Sequence, residues 1–272
     1  MTGNKGKISS LFTNENHTLS HPNFPLSSKY HPDFVFDNNM GPNVLWLTEW
    51  LTKDMHLTPG MKVLDMGCGK AISSIFLAHE YGVQVWANDL WINATENWKR
   101  ICEYGFQDRV FPIHAEAHAL PYPEGFFDVI VSLDSYQYYG TDDLYLGYFH
   151  KLLKPGGEIG IVVPGLHQDF AGPIPEHLTR AQKSGGVFWA WDCCTFHTAA
   201  WWRKHWSQYA AVNIQVCEAM PDGGKVWLDW EKALEPWPGE KMFPSDVETL
   251  EADQNKNVTF VKMLARRNAV NI

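Results

Sequence analysis

Nowhere in the 272 residues does an apolar run approach the roughly 20 residues that a membrane-spanning helix requires. The opening residues Met1-Thr2-Gly3-Asn4-Lys5 also lack the apolar core of a secretory signal. Basic side chains are in deficit: 22 Lys and Arg stand against 31 Asp and Glu, a formal net charge of −9. Broad binding to a phosphate backbone needs basic surface, so no nucleic-acid partner is expected. The five cysteines, Cys68, Cys102, Cys193, Cys194 and Cys217, contain no C-x-x-C pair. Cys193 and Cys194 with His197 fall short of the four ligands of a structural zinc site, so no metal is expected. No internal repeat is evident. These absences lead us to expect a cytoplasmic protein with reduced thiols and no membrane partner, and they leave the oligomeric state open.

What is present is an apolar fraction of 45%, enough to bury a full core as one α/β domain with an insertion or lid. The organising stretch is Met61 to Leu90. Val63 and Leu64 suit a buried parallel strand, Gly67 and Gly69 allow a sharp turn close to a ligand, and Ile72, Ile75, Phe76 and Leu77 recur at helical spacing through Tyr81. The turn lacks the third glycine of a dinucleotide fingerprint, since Ile72 stands there, and Lys70-Ala71 does not complete a phosphate loop. Asp65, two residues before the first glycine, is placed to meet a cationic ligand end through a charge-assisted hydrogen bond. Asp89, twenty positions after Gly69, is placed to take the two hydroxyls of a ribose. A ribose without a phosphate, joined to an ammonium group, describes S-adenosylmethionine.

The sequence resembles the class I S-adenosylmethionine-dependent methyltransferases, in their small-molecule branch. V-L-D-x-G-x-G at Val63 to Gly69, the acid Asp89 ending the second strand, L-P-x-P at Leu120 to Pro123 and L-K-P-G-G at Leu153 to Gly157 stand in the family's order. The resemblance implies an α/β fold: a Rossmann-like, seven-stranded, mostly parallel sheet with helices on both faces, completed by an antiparallel hairpin. It further implies an N-terminal arm or lid over residues 1–40 and a methyltransferase domain over 41–272. An aromatic-rich insertion of about 165–197 follows strand five. S-adenosylmethionine is then the expected cofactor, held by Asp65, Gly67, Gly69, Asp89 and Leu90, with Glu116 accepting from the adenine amino group and the Ala117 N–H donating to the ring. The family more often has Asp where Glu116 stands.

Along the chain, residues 1–28 read as a mobile arm, and Val44 to Leu51 as an amphipathic helix. In the resembling family the segment before the first strand closes over the cofactor, which makes Tyr30 and His31 candidate lid residues. Asn93 to Tyr104 reads as a helix, Arg109 to His114 as a third strand and Phe126 to Leu133 as a fourth. Ligands of open α/β sheets bind beyond the strand ends where strand order reverses, which directs Asp134 and Tyr136 at the methyl donor and acceptor as candidate catalytic groups. Asp142 to Leu153 reads as a helix, Glu158 to Val163 as a fifth strand, Ala211 to Met220 and Val258 to Arg266 as the last two.

The aromatic stretch Trp189 to Trp206 suggests a cage for a small-molecule acceptor. His167, Trp191, His197, Trp202 and Arg203 are its candidate substrate contacts, and core packing is the competing reading for each tryptophan. An amine nitrogen is the favoured acceptor atom, because carboxylates and aromatic faces suit it. Oxygen or sulfur acceptors, and a non-catalytic S-adenosylmethionine-binding regulatory protein, stand as alternatives. A nicotinamide oxidoreductase is disfavoured by the missing third glycine, and a lipid-modifying cyclopropane synthase by the lack of a basic amphipathic helix.

Overall fold

A computed structural model describes residues 11–269. Among them, helices α1 (Pro32–Phe36) and α2 (Val44–Thr52) precede the alternation β1 (Lys62–Met66), α3 (Ile72–Tyr81), β2 (Gln84–Asp89), α4 (Ala94–Glu103), β3 (Val110–His114). Next come β4 (Phe127–Leu133), α5 (Tyr145–Phe149), β5 (Leu153–Leu166), α6 (Glu176–Thr179), the two-residue β6 (His197–Thr198) and α7 (Ala199–Trp206). The last described elements are β7 (Val212–Ala219), α8 (Gly223–Leu234), α9 (Val247–Asp253) and β8 (Val258–Arg267).

The sheet runs β3-β2-β1-β4-β5-β8-β7. It is parallel through β5, with β8 antiparallel to both β5 and β7. This is the seven-strand path expected. The two-residue β6, which pairs with β5 at Gly165 and Leu166, is an addition. β5 also begins earlier and ends later than the expected Glu158 to Val163, taking in the L-K-P-G-G segment with a register shift against β4. Pro112, which would remove a ladder hydrogen bond in a central strand, is tolerated because β3 lies at the sheet edge.

Successive strand residues face opposite layers, so both faces of the central strands are largely apolar. Val63, Val85, Val129 and Val162 join the core under α2, α3 and α8, whereas Leu64, Ile130, Ile161 and Met263 join the one under α5 and α7. In α3, Ile75, Phe76 and Leu77 are fully buried; each such side chain contributes roughly 1.5–3 kcal/mol relative to exposure. That anchorage fixes the glycine turn at the helix start.

The mobile-arm reading of residues 1–28 fails for 11–28; residues 1–10 lie outside the described residues. Leu11, Leu19 and Phe24 are buried. The Glu49 carboxylate of α2 accepts from the backbone N–H of Leu26 (3.0 Å) and of Ser27 (2.7 Å) and from Ser27 Oγ (2.8 Å). Anchors spaced without a period gave no signal in the sequence.

Candidate active site

The order of the sheet reverses between β1 and β4. Their register, Val63 opposite Val129 and Asp65 opposite Val131, brings the loops after both strands side by side. The turn after β1 is fastened to the end of β2: Gly67 and Cys68 donate their N–H groups to the Asn88 carbonyl at 2.8 and 3.1 Å, and Gly69 donates to Asp89 Oδ2 at 2.8 Å. Asp89 Oδ1 accepts from the N–H groups of Trp91 (2.7 Å) and Ile92 (2.8 Å). One carboxylate therefore positions both the glycine turn and the chain leaving β2. Gly67 has φ +74°, and a Cβ on it would lie 1.9 Å from Ser135 Oγ, so only glycine lets the two loops meet.

Two cavities open here. The first, about 300 Å³, is lined by Gly67, Gly69, Asp89, Leu90, Glu116 and Ala117, six of the seven residues expected to hold the cofactor. Met40, Trp91, His118 and Tyr138 also line it, and the sequence reading missed them. Met40 could not have been found from motif spacing, since it precedes the sheet and lies across Gly69 by tertiary packing. Glu116 is bound by His118, which donates its N–H to Oε2 at 2.8 Å and holds Nδ1 2.8 Å from Oε1; these contacts lower the carboxyl below its usual range.

The seventh expected residue, Asp65, is on neither cavity wall. It is fully buried, with Oδ2 accepting from Ser73 Oγ and Ser74 Oγ at 2.6 Å each and Oδ1 unpartnered. Burial pushes its carboxyl up to about 6. It braces the first turn of α3 from beneath, a correction to its reading as a ligand contact.

The second cavity, about 340 Å³, shares Pro42, Asp134 and Tyr138 with the first and is also lined by Gly41. Its walls carry Phe188, Trp191, Phe196 and Trp227, and its charged residues are Asp134, Asp192, Glu231 and Asp246. Asp134 stands at the junction with φ +51°, a left-handed conformation that aims the residue away from the line of β4. Its Oδ1 accepts from Gln137 Nε2 at 3.1 Å. Burial, with a smaller contribution from Asp192, pushes its carboxyl up to about 7. Gly41 has φ +146°, and a Cβ there would lie 2.7 Å from Asp134 Oδ2. Trp230 of α8 holds this close approach by donating Nε1–H to the Gly41 carbonyl at 2.8 Å.

The other expected contacts are scattered. Tyr136 is fully buried among Tyr139, Tyr145, Trp202 and Trp206, and lines neither cavity; its neighbours Gln137 and Tyr138 do. Tyr30 is buried against Phe34 and Phe76 with its hydroxyl near His79 and Glu80, and His31 caps α1. His167 lies past the end of β5, away from both linings. Trp191 lines the second cavity while 84% exposed, which puts it at the rim. His197 stacks on Trp201 at 3.6 Å, Trp202 is core, and Arg203 donates to the Cys217 carbonyl at 3.2 Å. Of the expected aromatic stretch Trp189 to Trp206, Trp191 and Phe196 line the cavity together with Phe188 and Trp227, and the tryptophans of α7 do not. Cys193 lines that cavity with its thiol on the Phe188 carbonyl (3.2 Å), while Cys194 is exposed.

Residues 63–157 match a family model described as a methyltransferase domain. The chain is 32% identical over 134 residues to the methyltransferase GfsG of Streptomyces halstedii, covering 48% of each. It is 34% identical over 116 residues to phosphoethanolamine N-methyltransferase 1 of Zea mays, covering 41% of this chain and 22% of that one. The chain thus spans about half of the first relative's length and less of the second's. Among solved structures, phosphoethanolamine N-methyltransferase 2 of Haemonchus contortus in complex with S-adenosyl-L-methionine has the same fold. The TM-score is 0.67 at 17% identity, covering 87% of this chain and 56% of that one.

Proposed function

From the match of residues 63–157 to a methyltransferase domain we propose that the chain is a class I S-adenosylmethionine-dependent methyltransferase that transfers a methyl group from S-adenosylmethionine to the amine nitrogen of a small-molecule acceptor. The observation that carries the reading is Asp134, which stands where the two cavities meet, beyond the end of β4. The first cavity suits the cofactor. Its size falls at the lower edge of the roughly 300–1,000 Å³ typical of ligand pockets, Asp89 offers a carboxylate for ribose hydroxyls, and the glycine turn admits a ligand close to the backbone. S-adenosylmethionine supplies an electrophilic methyl group on a sulfonium.

The protein's own part is alignment, exclusion of water and handling of one proton. An amine attacks only when neutral. A carboxyl held near about 7 is matched to accept its proton at neutral pH, and burial beside the cavity junction supplies that shift. Gln137 orients the Asp134 carboxylate, and the segment through Met40 and Gly41 covers the glycine turn and the junction. Phosphoethanolamine, named for two of the similar proteins, carries an anionic group that the acids of the second cavity disfavour. That acceptor is therefore not carried over to this chain.

The test is release of S-adenosylhomocysteine by purified protein given S-adenosylmethionine and a panel of small amines, alcohols and thiols, with Asp134→Asn and Asp89→Ala as controls. The reading expects product with amines, abolished by Asp89→Ala through lost cofactor binding and cut by Asp134→Asn at unchanged cofactor affinity. Product only with alcohols or thiols overturns the amine assignment, and cofactor binding without any turnover favours a regulatory binding protein.

A further inference from the structure

The acceptor cavity contains four carboxylates and, among the described residues, no Lys, Arg or His on its wall. Lys241 lines a small neighbouring crevice with Glu231 and Phe243 and donates its ammonium to the Glu235 carbonyl at 2.7 Å. The acids come from distant parts of the chain: Asp134 after β4, Asp192 in the 3-10 turn Trp191–Thr195, Glu231 in α8, Asp246 at the start of α9. Glu231 and Asp246 are joined, the N–H of Asp246 donating to Glu231 Oε2 at 3.3 Å, while Asp246 Oδ1 accepts from Gln182 Nε2 at 2.9 Å. Like-charged groups gathered on an apolar wall are stable only if protonated or met by a cation.

A second, independent feature points the same way. Gln137 is 1% exposed, lines this cavity, and leaves its side-chain Oε1 without a hydrogen-bond partner. Its Nε2 donates to Asp134 Oδ1 at 3.1 Å. The orphaned atom is a buried acceptor, and a buried acceptor without a donor costs roughly 1–3 kcal/mol. An ammonium group of a ligand is the donor it lacks.

Resting on the methyl-transfer reading above, we propose that the acceptor is an aliphatic amine with a second cationic nitrogen and no acid group, of the diamine or polyamine class. One nitrogen sits at Asp134 and Gln137 beside the donor cavity, and the second meets Glu231 and Asp246. Phe188, Phe196 and Trp227 offer faces to the methylene chain and to the cations. One ammonium would leave the Glu231 and Asp246 pair with Lys241, which stands outside this cavity, as its opposite charge, whereas a carboxylate or phosphate on the acceptor would add to the like charge. The raised carboxyls of Glu231 (about 7) and Asp246 agree with acids that await a cation: burial comes first, and repulsion adds to it, from Asp246 on Glu231 and from Asp192 on Asp246.

The experiment uses the full chain. S-adenosylhomocysteine release is measured with putrescine, spermidine, butylamine, γ-aminobutyrate and phosphoethanolamine. Calorimetry then follows putrescine and spermidine binding to the protein loaded with S-adenosylhomocysteine. The expected result is kcat/KM for a dication about tenfold or more above butylamine, with γ-aminobutyrate and phosphoethanolamine poorer still. Glu231→Gln with Asp246→Asn should erase that preference. Both substitutions mimic the protonated acids, so the fold persists, and S-adenosylmethionine affinity should stay within about twofold. Preference for butylamine, an amino acid or a phosphate ester overturns the proposal, as does failure of both dications to bind or a preference that survives the double substitution. Turnover with another acceptor would leave the methyl-transfer reading intact. Failure to bind S-adenosylmethionine at all would remove both.

Discussion

Replacing Asp134 with Asn isolates the energy held in one half-buried carboxyl. Folding raises this group from about 3.9, its value in an unfolded chain, to about 7, chiefly by desolvation. Between those two values the native state binds one proton more than the unfolded state, so unfolding free energy falls as pH rises. The contribution is fully present below about pH 4 and is lost as pH passes about 7. Over the whole window it amounts to about 4 kcal/mol at most, and cavity water lowers it. From about pH 5 to about pH 8 the expected loss is roughly 2.5 kcal/mol. The amide of the variant has no such slope. Asp65, raised to about 6, and Glu231, raised to about 7, act in the same direction, but they are present in both proteins and cancel in the difference. Urea unfolding of both proteins across this range should therefore show the wild-type advantage shrinking by roughly that amount. A difference that stays level within about 0.5 kcal/mol would refute the burial argument.

Three further outcomes follow from the geometry. Gly67→Ala places a Cβ 1.9 Å from Ser135 Oγ at φ +74°; we expect about 1–3 kcal/mol of lost stability and loss of S-adenosylmethionine binding, read by thermal unfolding with and without cofactor. Trp230→Phe removes the 2.8 Å hydrogen bond to the Gly41 carbonyl; it should cost about 1 kcal/mol and speed cofactor dissociation in stopped-flow measurements. Tyr30→Phe removes phenol contacts to His79 (3.3 Å) and Glu80 (3.2 Å); stability should fall by about 1 kcal/mol while kcat and KM stay within about twofold. A large KM change in that variant would restore Tyr30 to the acceptor site.

The parallel sheet and the cofactor side of the site were legible because local chemistry fixes them. A glycine turn between a buried strand and a helix, and an acid at the next strand's end, must converge once the strands pair, and Gly67, Gly69 and Asp89 do so. The acceptor side was not legible, because it depends on tertiary placement. Tyr136 and Tyr138 look equivalent in the sequence, yet the left-handed turn at Asp134 and the following 3-10 turn bury the first and expose the second. Nothing in the sequence joins Glu231 to Asp246, and they reach the cavity because α8 and the start of α9 pack beside Gly41 and Phe243. The tryptophans of α7 follow the opposite course: Trp202 and Trp206 fill the core, as competing packing demands would have it.

The most direct measurement gives the protein methyl-labelled S-adenosylmethionine together with spermidine and follows the label by mass spectrometry. The account predicts that label moves onto an amine nitrogen in step with S-adenosylhomocysteine, and that Asp89→Ala abolishes the transfer by abolishing cofactor binding. Cofactor that stays bound and intact with spermidine and with every other amine offered would contradict it.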